Sequence, residues 1–489
     1  MPRFVPAVLA LVALAPAATA GPYDDLLRAV PPNTNTLVMV NVKAAFASPL
    51  AKSEKWADDY FKRYQSGMAF VPPESEAVVI ASEVNLSDMT RDHQIGLVKV
   101  RNLPAMNALA DREGGATGQL SGQVVVLSPR DVYYVALPGS VLAAVYPANR
   151  QATARWIRHA MASKAPDLTP YLKRAADAAG AGEDVLTIAV DFAEVIDPAR
   201  LKVGLPASPA VIKQKGVDVG LTAGFLASVQ GITFTARITD RIVGTVRVDF
   251  ALDVNLYKRI TRELFLELLD EEGVAIPGMD AWETTYGEKS MTLSGPLTPA
   301  DLRRILSLFA FPGHADEDTP KVNPGQPSGP ATQRYLAAVK VILDDIRKTK
   351  DSPDYVKTAT WHEKAAEQLE HIGRQAVDPI AVEAAFEVAK RLRAIGASLR
   401  GVPIDLEAIG RQGYYYSRPN WGVALGWGGI RPVWYGGGGQ VETNLPQVRA
   451  EQAKVVAADQ QRRVEVWTQI DQILADTSIK LTDKYKIKF

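Results

Sequence analysis

The chain has 489 residues, and its 55 Lys and Arg balance 55 Asp and Glu, so its formal net charge is zero. That balance speaks against nucleic-acid binding, which ordinarily brings a strong basic excess. The lack of cysteine excludes disulfides, thiolate metal sites and cysteine nucleophiles together, while 47% hydrophobic residues leave ample material for packing alone to hold two or three domains.

Residues 1–20 read as a signal peptide. Met1-Pro2-Arg3 is a short positive start, Phe4–Ala15 an apolar run, and Ala18-Thr19-Ala20 before Gly21 a small-x-small cleavage site. Pro6 and Pro16 bracket a run well short of the ~20 residues a spanning helix needs. The expectation is an exported chain, periplasmic or extracellular, with no integral membrane span after cleavage between Ala20 and Gly21.

The next stretch carries a faint internal likeness. Val38–Phe46 (VMVNVKAAF) aligns at an offset of 150 with Ile188–Ile196 (IAVDFAEVI), each an apolar strand running into a more helical segment. In the first unit, 21–165, a helix through Trp56 and Phe61 precedes strands at Ala77–Val84, Gln94–Val100, Gln123–Leu127 and Val132–Leu137. Several are near-continuous apolar runs, as in strands covered on both faces, and a helix over Arg150–Met161 closes the unit. In the second, 166–312, Ile232, Phe234, Ala236 and Ile238 alternate with polar residues. Asp240-Arg241 turns the chain, and Val246, Val248 and Phe250 alternate in their turn; this period of two marks strands with one buried face. A helix with Leu256, Ile260, Leu264 and Leu268 on one side follows, then strands at Trp282–Tyr286 and Ser290–Leu293. Thr298-Pro299-Ala300-Asp301 opens a closing helix with an N-cap, a first-turn proline and an acid at N3. The fold class expected is α+β: tandem antiparallel-sheet units with covering helices, or one large α+β domain, followed by an α-helical C-terminal region.

Residues 313–333, rich in Pro and Gly, read as a linker. The helical region 334–401 shows stripes at Leu336/Val339/Leu343/Ile346 and Trp361/Ala365/Leu369/Ile372, and Asp378-Pro379 starts a third helix that Gly401 stops. Residues 402–445 form a glycine-aromatic loop in which Tyr414, Tyr415, Tyr416, Trp421, Trp427, Trp434 and Tyr435 are interleaved with glycines. In 446–489 a long Gln-rich helix extends to Ala475, and Ile479–Phe489, alternating apolar and Lys, reads as a short edge strand.

No catalytic or metal constellation emerges. His93, His159 and His314 stand alone. His362-Glu363 begins like a zinc-protease motif, but position 366 is alanine; His371, nine residues on at ~100° each, faces the other way. The expectation for this helix is a solvated polar face bearing His362 and an acidic cluster of Glu363, Glu367 and Glu370. Asp316-Glu317-Asp318 lacks the glycine and distal Glu of a calcium loop, and neither Gly287–Ser290 nor Gly436–Gly439 has the context of a phosphate or dinucleotide loop. Gly396–Gly401 lacks the spacing of a serine-nucleophile elbow. No cofactor is expected.

The layout resembles a loose class of uncharacterised exported bacterial proteins. They share a signal peptide, tandem α+β units opening on a segment like Thr36–Val42 (TLVMVNV), and a helical C-terminus with a tail like Leu481–Phe489 (LTDKYKIKF). The resemblance implies export and no catalytic residue. The functional expectation is therefore a non-enzymatic envelope protein that touches a protein partner or cell-surface polymer through the seven aromatic residues of 402–445. The alternative is a secreted protein that binds or hydrolyses carbohydrate.

Overall fold

The computed structural model describes residues 21–65, 71–86, 90–309, 326–347, 358–374, 376–404, 454 and 456–489. After helix α1 (Asp24–Leu27), strand β1 (Thr36–Val40) runs into three helices, α2 (Val42–Ala47), α3 (Pro49–Ser53) and α4 (Trp56–Gln65). Asn41 and Ser48 start the first two by accepting from the amides of Ala44 and Ala51, and Pro49 takes a first-turn position where no amide is required. Then come the hairpin β2 (Ser75–Asn85) and β3 (Thr90–Val100), helix α5 (Met106–Glu113), and strands β4 (Ala116–Leu120), β5 (Gln123–Ser128), β6 (Val132–Leu137) and β7 (Val141–Tyr146). Helices α6 (Arg150–Ala162) and α7 (Pro170–Ala181) end this half.

The second half begins with β8 (Leu186–Asp191) and three short helices, α8 (Pro198–Gly204), α9 (Pro209–Lys213) and α10 (Val219–Leu226). Asp197, Ser208 and Asp218 cap them. The hairpin β9 (Val229–Ile238) and β10 (Ile242–Phe250), helix α11 (Lys258–Glu271), strands β11 (Glu283–Tyr286) and β12 (Ser290–Leu297), and helix α12 (Pro299–Ser307) complete it. The capping box expected at Thr298 and Asp301 is formed. Leu256, in contrast, stands in a turn before α11 and is 79% exposed; the buried side of that helix is Ile260, Thr261, Leu264 and Phe265.

All twelve strands form one antiparallel sheet, ordered β11-β12-β10-β9-β8-β1-β2-β3-β7-β6-β5-β4. The fold is thus α+β, with β1 and β8 paired at its centre. Val38 and Ile188, the residues aligned at an offset of 150, lie directly opposite each other there. Outward from this seam both halves place their strands alike, β1-β2-β3-β7-β6 on one side and β8-β9-β10-β12-β11 on the other; β5 and β4 are extra at one edge.

The alternation of side chains divides the core between two faces. On one, Leu37, Met39, Val79, Ile95 and Leu97 pack beneath α1, α6 and α7. On the other, Val38, Leu186, Ile188, Phe234 and Val248 pack beneath α8, α10, α11 and α12. This is why β2 is buried along most of its length while β10 alternates strictly: one face of the second hairpin is covered throughout, and on the other Tyr171 of α7 reaches Gly231, Thr233 and Asp249. On the first of these faces Trp282 lies across Gly244 and Gly295. A Cβ at Gly295 would stand 2.3 Å from Trp282 Cδ1, so the indole sits where only glycine leaves room.

Helix α12 does not mirror α6. It crosses back over the second face, burying Leu302 and Ile305 there, and is held on its outer side by helix α13 (Gly329–Arg347), where Asp345 accepts both guanidinium nitrogens of Arg303 at 2.7 Å. Helices α14 (Ala359–His371), α15 (Pro379–Leu399) and α16 (Gln460–Tyr485) complete a bundle with α13 around Tyr335, Val339, Trp361, Leu369, Val388, Leu392 and Ile470.

Two boundaries differ from the sequence reading. The segment 329–333, expected in the linker, is the first turn of α13; Ser328 caps it through the Ala331 amide, and Pro330 falls where no amide is needed. Ile479–Phe489 is not an edge strand: α16 continues to Tyr485, because Leu481 is buried and both Lys484 and Tyr485 bond the Asp378 carboxylate, at 2.6 and 2.7 Å. Among the described residues no helix is long and apolar enough to cross a membrane.

Candidate functional site

The aromatic residues singled out by sequence, Tyr414, Tyr415, Tyr416, Trp421, Trp427, Trp434 and Tyr435, lie outside the described residues, as does Ala20. The flanks of that segment are described, and they meet. Asp459 accepts from the Ile404 amide at 2.7 Å and from Ser398 Oγ at 3.2 Å, and Arg463 donates to Ser398 Oγ at 2.9 Å. Chain exit and return are thus pinned to one buried polar knot.

Helix α14 departs from its expected character. His362 is 3% exposed, because α16 covers a second side of the helix beyond the Trp361 stripe; its Nδ1 lies 2.8 Å from the Thr358 carbonyl, and Trp467 stands edge-on to it. Burial lowers its pKa to about 4. The acidic cluster is no solvated face either. Glu370 pairs with Arg393 and Glu363 with Arg400, both cations on or just beyond α15, and Glu367 pairs with Lys364. Glu272, at the end of α11 where the bundle docks, is pushed up to about 7 by burial, against the opposing field of Arg400. Among the described residues no group of three His, Asp or Glu side chains is placed to hold a metal ion.

What the fold does assemble is an apolar groove of about 280 Å³ on the second face of the sheet. Its floor is Val38 and Val40 of β1 with Val78 and Ile80 of β2, adjacent in register as Val38↔Ile80 and Val40↔Val78. One wall is Val42 and Phe46 of α2, Tyr60 of α4, and Val71; the other is Leu306 and Phe309 from α12 and its end. The first wall is braced. Leu50 donates to the Thr239 carbonyl at 2.8 Å, fixing α3 to the sheet. Phe46 and Tyr60 rings lie 5.8 Å apart, and Tyr60 OH donates to the Val71 carbonyl at 2.8 Å. Arg112 of α5 lies over the Tyr64 ring. Burial raises the Tyr60 phenol, which keeps it a neutral donor. The opposite wall is tied down by Gln94 of β3, whose Nε2 donates to the Phe309 carbonyl at 3.0 Å.

The second half has a smaller cavity of about 90 Å³ at the matching place, with Phe192 and Ile196 in its lining. These are the residues aligned with Val42 and Phe46. Here α11 supplies Thr261, Phe265 and Leu268 and closes the space more tightly. In the first half the second wall comes instead from the other half of the chain, through Leu306 and Phe309.

In the sequence Val38–Phe46 is legible as half of a likeness, but not as a site. Phe46, Tyr60 and Phe309 come together only through folding, across more than 260 residues of chain. The chemistry on offer is exclusion of water from an apolar ligand; among the described residues no charged side chain lines the groove.

Compared with known proteins, the sequence matches no family model and no curated protein. Its structure is similar to solved structures of TP0453. Crystal form I has a TM-score of 0.34 and 9% identity, covering 60% of this chain and 98% of that one. Crystal form III has a TM-score of 0.33 and 9% identity, covering 55% and 93%. Likeness at that level says nothing about a shared ligand.

Proposed function

We propose that this is an exported, non-enzymatic envelope protein that binds a single apolar chain in the groove between β1, β2, α2, α4 and α12. The observation that carries the reading is the groove itself: about 280 Å³ walled, among the described residues, by ten side chains of which only Tyr60 has a polar atom. That atom is already spent on Val71. Ligand sites are typically concave and apolar with few polar groups. A cavity of ~150 Å³ can hold benzene, so the groove has room for on the order of ten carbon atoms. At ~0.8 kcal/mol per buried methylene, with several kcal/mol returned to association and chain ordering, the expected Kd is roughly millimolar.

The test is fluorescence titration with 11-(dansylamino)undecanoic acid. Wild type should bind it saturably with a blue shift. Val40→Trp, which fills the floor from a half-buried position, should weaken binding at least tenfold while leaving the circular dichroism unchanged. Undiminished binding by that variant would place the ligand elsewhere. Retention of the protein on cell-wall polysaccharide, with no binding of the acyl probe, would favour the carbohydrate reading instead.

A further inference from the structure

We infer that the layer formed by α8, α9, α10 and the start of α11 docks on a bilayer surface that carries anionic lipid. Four of the five most exposed large apolar side chains among the described residues are here: Leu256, Ile212, Leu221 and Val203, between 59% and 79% exposed. They share one side of the molecule. Helix α8 packs against α10, and α9 against α11. Phe225 of α10 stacks on Tyr257 with 4.2 Å between ring centroids, which sets the Val254–Leu256 turn beside that helix. Leu201, Leu205, Phe225, Leu226 and Val254 belong to the core of the second sheet face, so the exposed residues form the outer side of the layer. Helix α10 departs furthest from the usual pattern. A surface helix ordinarily turns charged and polar residues to water, yet Val219–Leu226 contains no charge. Its one polar side chain, Thr222, is buried, while Gly220, Leu221 and Gly224 are exposed.

The charges around this surface select its partner. Lys202 adjoins Val203, Lys213 and Lys215 follow Ile212, and Lys258 and Arg259 follow Leu256. All five are exposed, and among the described residues none of them has an acidic partner. The acids at the starts of the same elements, Asp197, Asp218 and Asp253, are taken up by the amides of Ala199, Leu221 and Asn255. Lys202 lies along α10, where a Cβ at Gly220 would stand 4.0 Å from its Cε; its stem thus extends the apolar surface while its ammonium stays in water. Because the whole chain is neutral, the attraction belongs to this face alone. Aliphatic anchors among unpaired lysines match a lipid headgroup region, where apolar side chains enter and lysine charges meet phosphate. A protein partner fits less well. Protein interfaces favour aromatic side chains and methionine and are poor in lysine, whereas every exposed large apolar residue of this layer is Val, Leu or Ile.

The experiment is sedimentation of the exported protein, after signal cleavage, with vesicles of equal parts phosphatidylglycerol and phosphatidylcholine, and with vesicles of phosphatidylcholine alone. Wild type should bind the anionic vesicles about tenfold more tightly or better. Lys213→Gln and Lys215→Gln should each weaken that binding about fivefold, the worth of one basic residue near a charged membrane, and added salt should weaken it too. The double variant Ile212→Ser, Leu256→Ser changes exposed positions, so its circular dichroism should match wild type while its vesicle binding falls about tenfold or more. Val40→Trp, which fills the groove, should sediment as wild type does, and the serine variant should bind the dansyl probe as wild type does. Those two controls separate the surface from the groove. No binding of wild type to either vesicle, or full binding by the serine variant, would overturn the inference; so would loss of vesicle binding in Val40→Trp. A wild-type dimer that ignores vesicles and that the serine variant loses would also overturn it, since the surface would then belong to a second copy.

Discussion

His362 gives the fold a measurable pH signature. The side chain is buried between α14 and α16, with Arg463 and Glu363 as the nearest charges, and burial lowers its pKa to about 4 from an ordinary 6.5. The unfolded chain therefore takes up a proton between pH 6.5 and about 4 that the folded protein refuses. Stability from this group is complete above pH 6.5 and is lost as pH falls toward 4, below which nothing more is lost. At 1.36 kcal/mol per unit, moving from pH 7 to pH 4.5 removes roughly 2 kcal/mol. The assay is urea unfolding of wild type and His362→Leu at pH 7.0, 6.0, 5.0 and 4.5, followed by circular dichroism. Leu lacks the bond to Thr358, so the variant is expected to start less stable at pH 7. The gap should then narrow by about 2 kcal/mol by pH 4.5. Other histidines, His93 and His371 among them, titrate in both proteins and cancel in the difference. Parallel pH profiles would show that His362 is protonated in the folded state and refute the argument.

Two further predictions concern packing. Gly295→Ala drives a methyl to 2.3 Å from the Trp282 ring; overpacking of this kind costs ~1–3 kcal/mol, and urea unfolding should report a loss in that range, whereas an unchanged midpoint would mean that the indole moves freely. Asp378→Ala removes the cap of α15 along with the shared acceptor of Lys484 and Tyr485. With Lys484 half exposed, the loss is that of a cap and two hydrogen bonds, ~2–4 kcal/mol, with faster hydrogen exchange across the last turns of α16; a double-mutant cycle with Lys484→Met showing no coupling would contradict the clamp.

The sheet was legible where burial imposes a period. Ile232–Ile238 and Val246–Phe250 alternate because only one face is covered throughout, and the capped starts at Thr298 and Asp378 depend on local bonds alone. Strands β4 and β7 are not legible in this way: Ala116–Leu120 has no apolar stripe, and Val141–Tyr146 carries two alanines that blur its contrast. The helices α7 to α10 are absent from the sequence reading, although Thr169-Pro170, Asp197-Pro198 and Ser208-Pro209 each announce a helix start. Burial of His362 depends on α16, about a hundred residues further along, and the ion pairs of Glu363 and Glu370 depend on Arg400 and Arg393 one helix away. The groove was beyond reach for the same reason. Its floor is readable as strand, but its far wall arrives with Phe309, and nothing near Val78 in sequence signals that contact.

The pairing of β1 with β8 also sets a schedule for the growing chain. Leu37, Val38 and Met39 are buried, and one side of their strand is covered only by residues 150 positions later. At ~5–20 residues per second of synthesis, that edge waits roughly 8–30 s for its neighbour. During that interval it is an unpaired apolar strand with no proline or charge to discourage other strands. The first half made alone would keep this adhesive border permanently. The two halves are therefore bound to a common fate: a truncation near residue 165 exposes the middle of the sheet rather than trimming its margin, and aggregation rather than a small soluble domain is its natural outcome.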